Sequence, residues 1–181
     1  QGCEYRTDQE ERPPPAEAGN PRRKMVAAGP DAPPCPQMAM LRLRGSIYFG
    51  AVEHVRGRLR AIDAADPRRR WVMLFAQGIN VVDLAGAELL AEEAQRRRAL
   101  GGGLVLVGTQ PAVEHQLRRS GAIRVIGADH LVAHKGEAIR LAYARLDSEL
   151  CRGCTRRVFF ECGSRLPNGE ARADAPADTG S

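Results

Sequence analysis

Between Leu41 and Phe49 apolar and polar residues alternate, with Leu41, Leu43, Gly45, Ile47 and Phe49 on one side and Arg42, Arg44, Ser46 and Tyr48 on the other. A period of two is that of a strand with one buried face, and Gly45 permits a bend within it. After Gly50 the period lengthens. Val52, Val55, Leu59 and Ile62 recur at helical spacing with Glu53, His54, Arg56 and Arg60 on the wet side, and Asp66-Pro67 stops the helix. Trp71 to Ala76 is apolar without alternation, as in a strand covered on both faces. Asp83 then stands where a helix begins, its carboxylate placed to accept from the open amides of the first turn and to complement the helix dipole. Ala87, Leu90, Ala91 and Ala94 mark the inner face of that helix. Glu92 with Arg96 and Glu93 with Arg97 form acid-first pairs on the outer one.

Gly101-Gly102-Gly103 ends this helix and turns into Leu104 to Val107, a second buried strand. Pro111 opens a short helix with Val113 and Leu117 inward, closed by Ser120-Gly121. Ile123 to Gly127 reads as a weak last strand, and Ile139, Ala142, Tyr143 and Leu146 mark a final helix from about Lys135. Strands alternating with helices predict an α/β fold, a parallel or mixed sheet with helices packed on it.

Composition sets the limits of this domain. With 181 residues, 43% hydrophobic and 27% charged, the chain fits one globular domain with additional unstructured segments. Residues 1–36 hold eight of the twelve prolines and read as a linker or arm, with at most a short edge strand at Lys24 to Ala28. The folded domain is expected over 37–150, and 151–181 as a cysteine-containing extension with a disordered tail. No apolar run approaches the ~20 residues that cross a bilayer as a helix, and no signal-peptide pattern opens the chain, so it is expected to be soluble. It starts with Gln1 rather than Met, as a processed product or a piece of a longer polypeptide would.

The net charge of +5 comes from residues 37–150, which carry 17 Lys/Arg against 12 Asp/Glu. Arg68-Arg69-Arg70 before the central strand and Arg96-Arg97-Arg98 at the end of its helix should meet at one edge of the layer. The plain reading is that the second triplet complements the helix dipole; the alternative is a basic patch facing anionic lipid headgroups or an acidic partner. Nucleic acid is not an expected partner, because 4% aromatic residues leave little to stack bases on.

No catalytic set assembles. His54, His115, His130 and His134 lie on different elements, and none neighbours a serine or cysteine in a nucleophile motif. The glycine run precedes a strand and lacks a following Gly-Lys-Ser/Thr, which excludes a phosphate loop. An enzyme is not expected. The functional surface is instead sought at Ile79 to Ala87, since open α/β sheets bind at the carboxyl ends of their strands; the plain alternative is an ordinary connection. Separately, Cys151 and Cys154 form a Cys-x-x-Cys, and with Cys162 and Cys35 they offer four thiolates for tetrahedral zinc. The alternative is a set of free thiols and no cofactor.

The order of elements, the run Gly78-Ile79-Asn80-Val81-Val82-Asp83 and the helix start Ala85-Gly86-Ala87-Glu88-Leu89-Leu90 resemble a STAS domain, the module shared by anti-sigma-factor antagonists and the cytoplasmic tails of SulP anion transporters. The transporter branch is the nearer in pattern. Cys35-Pro36-Gln37 ahead of Leu41 to Val55 is similar to the entry segment of bacterial SulP tails, and so is the end, from Leu146-Asp147 through Cys151 and Cys154 to Phe159-Phe160-Glu161-Cys162. The resemblance covers roughly 35–163. It implies a STAS-like, mostly parallel sheet of four to five strands, and a non-enzymatic module at the inner face of the membrane that regulates or positions an anion transporter. Asp83, Leu84, Ala85, Gly86 and Ala87 would be the docking residues. Its partners would be the transport domain of the same or an associated polypeptide and, beyond that, a cytoplasmic regulatory protein. In the antagonist branch a serine occupies the place of Ala85 and is phosphorylated; here there is no hydroxyl. Two alternatives follow: a free-standing antagonist-like signalling protein not switched at Ala85, and a small zinc or redox protein using the C-terminal cysteines.

Overall fold

The computed structural model describes residues 34–173 and the backbone of 11–12 and 26–27. Glu11–Arg12 (β1) and Val26–Ala27 (β2) pair antiparallel, so β2 falls inside the short strand expected at 24–28 but pairs away from the main sheet. The remainder of the expected arm before Pro34, and the tail from 174, lie outside the described residues.

The main sheet contains β3 (Met38–Ile47), β4 (Trp71–Val82), β5 (Gly103–Val107) and β6 (Leu131–Val132), all parallel and lying side by side in chain order. Each crossover therefore steps one strand over in the same direction, and right-handed crossovers then place their helices on one face. That is where α1 (Val52–Ala65), α2 (Leu84–Ala99), α3 (Pro111–Arg119) and α4 (Ala122–Ile126) lie, enclosing a core of Leu41, Leu43, Val72, Leu74, Leu104 and Leu106 with Val55, Leu59, Leu90 and Leu117. α5 (Lys135–Tyr143) and α6 (Ser148–Arg152) belong to the other side. There Met38, Met40, Trp71, Met73, Phe75 and Val105 pack with Ile139, Ala142, Cys151, Val158, Phe159 and Leu166.

The α/β class, the parallel order and the sheet of four strands agree with the sequence reading; several details differ. Ile123 to Gly127 is not a strand. Ala122, Ile123 and Ile126 turn to the core as one face of α4, and the edge strand is the two-residue β6. A five-residue stretch with three β-branched residues does not distinguish a strand from a buried helical turn by periodicity. β4 runs on to Val82, so the expected loop shrinks to Asp83. Phe49 leaves the strand pattern for a 3-10 turn, Phe49–Ala51, and stands 81% exposed. Gly45 does mark the bend: its φ is +101°, and the register between β3 and β4 shifts around it.

The arginine triplets meet at one edge, as expected, and several of their members are held by internal partners. Arg97 is fully buried and donates to the carbonyls of Arg69 (2.7 Å) and Leu59 (3.1 Å) and to Glu93 (2.6 Å), while Asp63 lies 2.7 Å away. Arg96 bridges Asp63 and Glu93, Arg98 reaches the carbonyls of Ala94 and Val125, and Arg68 clasps Asp66. Arg96 and Arg97 thereby join α1 to α2, while Arg70 stays exposed at the same edge. Glu92 likewise pairs with Arg56 of α1 (2.9 Å) rather than along its own helix. Beyond residue 150, Cys151, Val158, Phe159 and Leu166 pack on the second face of the sheet.

Candidate functional site

The carboxyl edge of β3 and β4 is organised by one carboxylate. Asp83 caps α2: one oxygen accepts from the Gly86 amide (2.8 Å), and the other accepts from the Phe49 amide (2.9 Å) in the connection after β3. The Asp83 amide itself donates to the Ile47 carbonyl (3.1 Å). The strand ends and the helix start are thus tied together, and the tie is tight. A Cβ on Gly86 would lie 2.3 Å from the Ile47 carbonyl oxygen, so only glycine allows this approach.

Of the five residues expected to dock a partner, Leu84 is 56% exposed and Asp83 and Ala85 are half-buried at the surface. Gly86 and Ala87 are buried, because they face Ile47 and the core; they shape the surface without forming it. Three further residues complete it: Val81, within the stretch where the surface was sought, and Tyr48 and Phe49, which were not among the expected docking residues; they are 55%, 42% and 81% exposed. The signal for Val81 was present, since in a strand only one of the adjacent Val81 and Val82 can face the core. Phe49 was masked by its fit to the alternating run. Together with Leu84 they place large apolar side chains around a rigid helix start, at the end of the sheet where α/β folds bind.

The cysteines assemble at the opposite end. Cys35, Cys151, Cys154 and Cys162 line one small cavity of about 10 Å³ together with Gln37, Arg157 and Arg172. All four are free thiols. Burial pushes the thiols of Cys35 and Cys162 up to about 12 and that of Cys151 up to about 11. Among the described residues no three His, Cys, Asp or Glu side chains stand ready-formed around a metal position, so the sulfurs border the cavity without converging on a point. His130 is structural: its Nδ1 lies 2.8 Å from the Leu104 carbonyl and its ring packs near Trp71. His134 precedes α5.

The family model for the STAS domain matches residues 30–138. The chain belongs to the STAS domain family. It is similar to YvdB of Bacillus subtilis (strain 168), a protein named for sulfate transport, at 22% identity over 102 residues, 56% of this chain and 19% of that one. Among solved structures it is similar to the anion transporter SLC26A9, with a TM-score of 0.65 at 16% identity over 84% of this chain and 26% of the transporter. It is also similar to SpoIIAA, an anti-sigma factor antagonist in its unphosphorylated form, with a TM-score of 0.51 at 18% identity over 62% of this chain and 94% of the antagonist. At such identities these likenesses establish the STAS fold. The chain spans about a fifth to a quarter of the transporters it matches. Among the described residues no helix is long and apolar enough to cross a membrane.

Proposed function

We propose that this STAS domain is a non-enzymatic docking and regulatory module of a SulP-type inorganic anion transporter, sulfate-like in its cargo. It works at the cytoplasmic face of the membrane, and its carboxyl-edge surface engages the transport domain of the same or an associated polypeptide. The observation that carries this reading is the exposed apolar cluster of Tyr48, Phe49, Val81 and Leu84 around the Asp83-capped helix start. Side chains of this size, left in water on a rigid support, are the anchors that bury well against a partner. The likeness to transporter chains of which this domain spans a fraction supports a transport domain as that partner.

The likeness to SpoIIAA supports a second reading, a free-standing antagonist that binds a regulatory protein through the same surface. Ala85 bars that protein's partner from switching it by phosphorylation at this position, since no hydroxyl stands between Ile79 and Ala87.

Ala85→Asp is the decisive variant. It puts charge where a phosphate would stand, at a helix start that tolerates an acid, so the fold should hold within about 0.5 kcal/mol. Paired with Leu84→Ser, it is expected to weaken co-purification with the transport domain and to change anion uptake by cells expressing the intact polypeptide. Unaltered uptake and co-purification in two normally melting variants would show that this edge is only a connection. Capture of a regulatory protein without a transport domain would favour the second reading.

A further inference from the structure

We propose that Cys35, Cys151, Cys154 and Cys162 form a structural zinc site, closing on one ion to tie the segment before β3 to the C-terminal cap of the sheet. The site lies at the amino edge of the sheet, away from the docking surface, and stands independently of the proposed function. Three observations support it.

First, the cysteines come from three separate stretches of chain, and all line one small cavity of about 10 Å³. Second, the Cys151 sulfur is set as an acceptor, receiving the side-chain amide of Gln37 at 3.2 Å. Gln37 is itself fixed: its Nε2 also donates to the Asp147 carbonyl (3.0 Å), and its Oε1 accepts from the Asp147 amide (2.8 Å). A donor fixed in this way orients the sulfur as outer-shell partners do in metal sites. Third, a buried cation stands beside the cysteines: four thiolates on Zn²⁺ carry a net charge of minus two, and the positive charge of Arg172 acts on Cys151. Arg172 is 7% exposed and is held there by the carbonyls of Cys151 (3.0 Å) and Cys154 (3.3 Å).

Buried cysteines commonly serve as small hydrophobes. That role does not call for a fixed side-chain amide aimed at the Cys151 sulfur. The thiols do not converge as they stand, yet the sulfurs of Cys35, Cys154 and Cys162 each turn on a single side-chain torsion, so rotamer changes there bring them toward Cys151 without moving the backbone. The balance is Zn²⁺ plus four thiols giving a tetrathiolate complex and four protons released to solvent. Soft sulfur donors in a closed tetrahedral set suit zinc.

The test uses the whole chain purified under reducing conditions with elemental analysis, followed by metal removal and anaerobic titration with Co²⁺ as a visible probe. One zinc per chain is expected. Cobalt should bind at the same stoichiometry with the thiolate charge-transfer and tetrahedral bands of a four-sulfur site, and zinc should bleach them. Cys154→Ser, at the half-exposed position, should lose that spectrum while keeping its far-ultraviolet circular dichroism. Gln37→Leu should weaken zinc binding ~10–100-fold. The site is refuted if the wild-type chain takes up neither zinc nor cobalt, or if Cys154→Ser binds as the wild type does. Iron in place of zinc, or disulfides found by mass in a metal-free chain that resists reduction, would equally overturn it.

Discussion

Asp66 shows how a single acid ends a helix and holds the next turn. It follows α1, and its two oxygens accept Nε (2.9 Å) and Nη2 (2.8 Å) of Arg68, with the Arg68 amide (3.0 Å) sharing the first. The Arg68 guanidinium holds the Asp66 carboxyl down at about 2, against an unfolded value of about 3.9. A depressed folded pKa contributes stability that is fully present above the unfolded value and is lost as the pH falls through the folded one. Wild type should therefore melt above Asp66→Asn at pH 6, and the gap should close as the pH is lowered from about 4 to about 2. A gap that stayed constant over that window would mean that the carboxylate contributes through its shape alone. Asp66 and Asp83 were both readable as helix punctuation, because a short acid next to a proline or ahead of an apolar repeat has few other uses. What Asp83 also does, accepting the Phe49 amide from a turn 34 residues earlier, depends on tertiary approach and leaves no mark on local sequence.

Helix α2 carries the same lesson further. Its inner face was correctly placed by Ala87, Leu90 and Ala94, yet its largest fully enclosed side chain is Arg97, which its polarity assigned to solvent. The residue is inside because α1 and α2 meet through their charges: Arg96 and Arg97 share Asp63 from α1 and Glu93 from their own helix, and Arg97 also takes two backbone carbonyls. Periodicity reports hydrophobic faces, and a network that satisfies every donor can be buried without one. Arg97→Met keeps the length of the side chain and deletes its donors. Asp63 and Glu93 retain Arg96, but the Arg69 and Leu59 carbonyls lose a partner, so chemical denaturation should show a loss of ~3 kcal/mol or more. Arg56→Met, on the exposed pair with Glu92, should cost no more than ~1 kcal/mol. Equal losses in the two variants would mean that the buried network does not join the helices. The error at α4 has the opposite origin, an apolar run read as a strand. Its helical turn is fixed by packing against α2 and α3, which no window of five residues contains.

Two cores lie back to back across one sheet, and they differ in how much of each the chain pattern revealed. The first is closed by the crossover helices, whose periodicity is plain. The second is closed by α5 and then by a stretch with little regular structure, in which Cys151, Val158, Phe159 and Leu166 are buried. Scattered apolar residues among glycines and arginines looked like an extension; only their contacts with Met38, Trp71 and Met73 make them part of the core. The STAS match ends at 138, before this cap begins, so the cap lies beyond the segment that the family model covers. Its weight can be judged from burial. Enclosing a side chain such as Val, Leu or Phe stabilises by about 1.5–3 kcal/mol, and several together rival the whole stability of a domain, about 5–15 kcal/mol. Ending the chain after Asp147 should therefore expose Met38, Trp71 and Phe75, lower the melting temperature sharply and promote association through the bared face. Ending it after Ala173 should leave melting unchanged. If the zinc site is occupied, chelation of the full chain should shift melting towards the shorter variant, since the same segment is released by another route. A chain ending at Asp147 that melted cooperatively at the wild-type temperature would show that the first core alone sustains the fold.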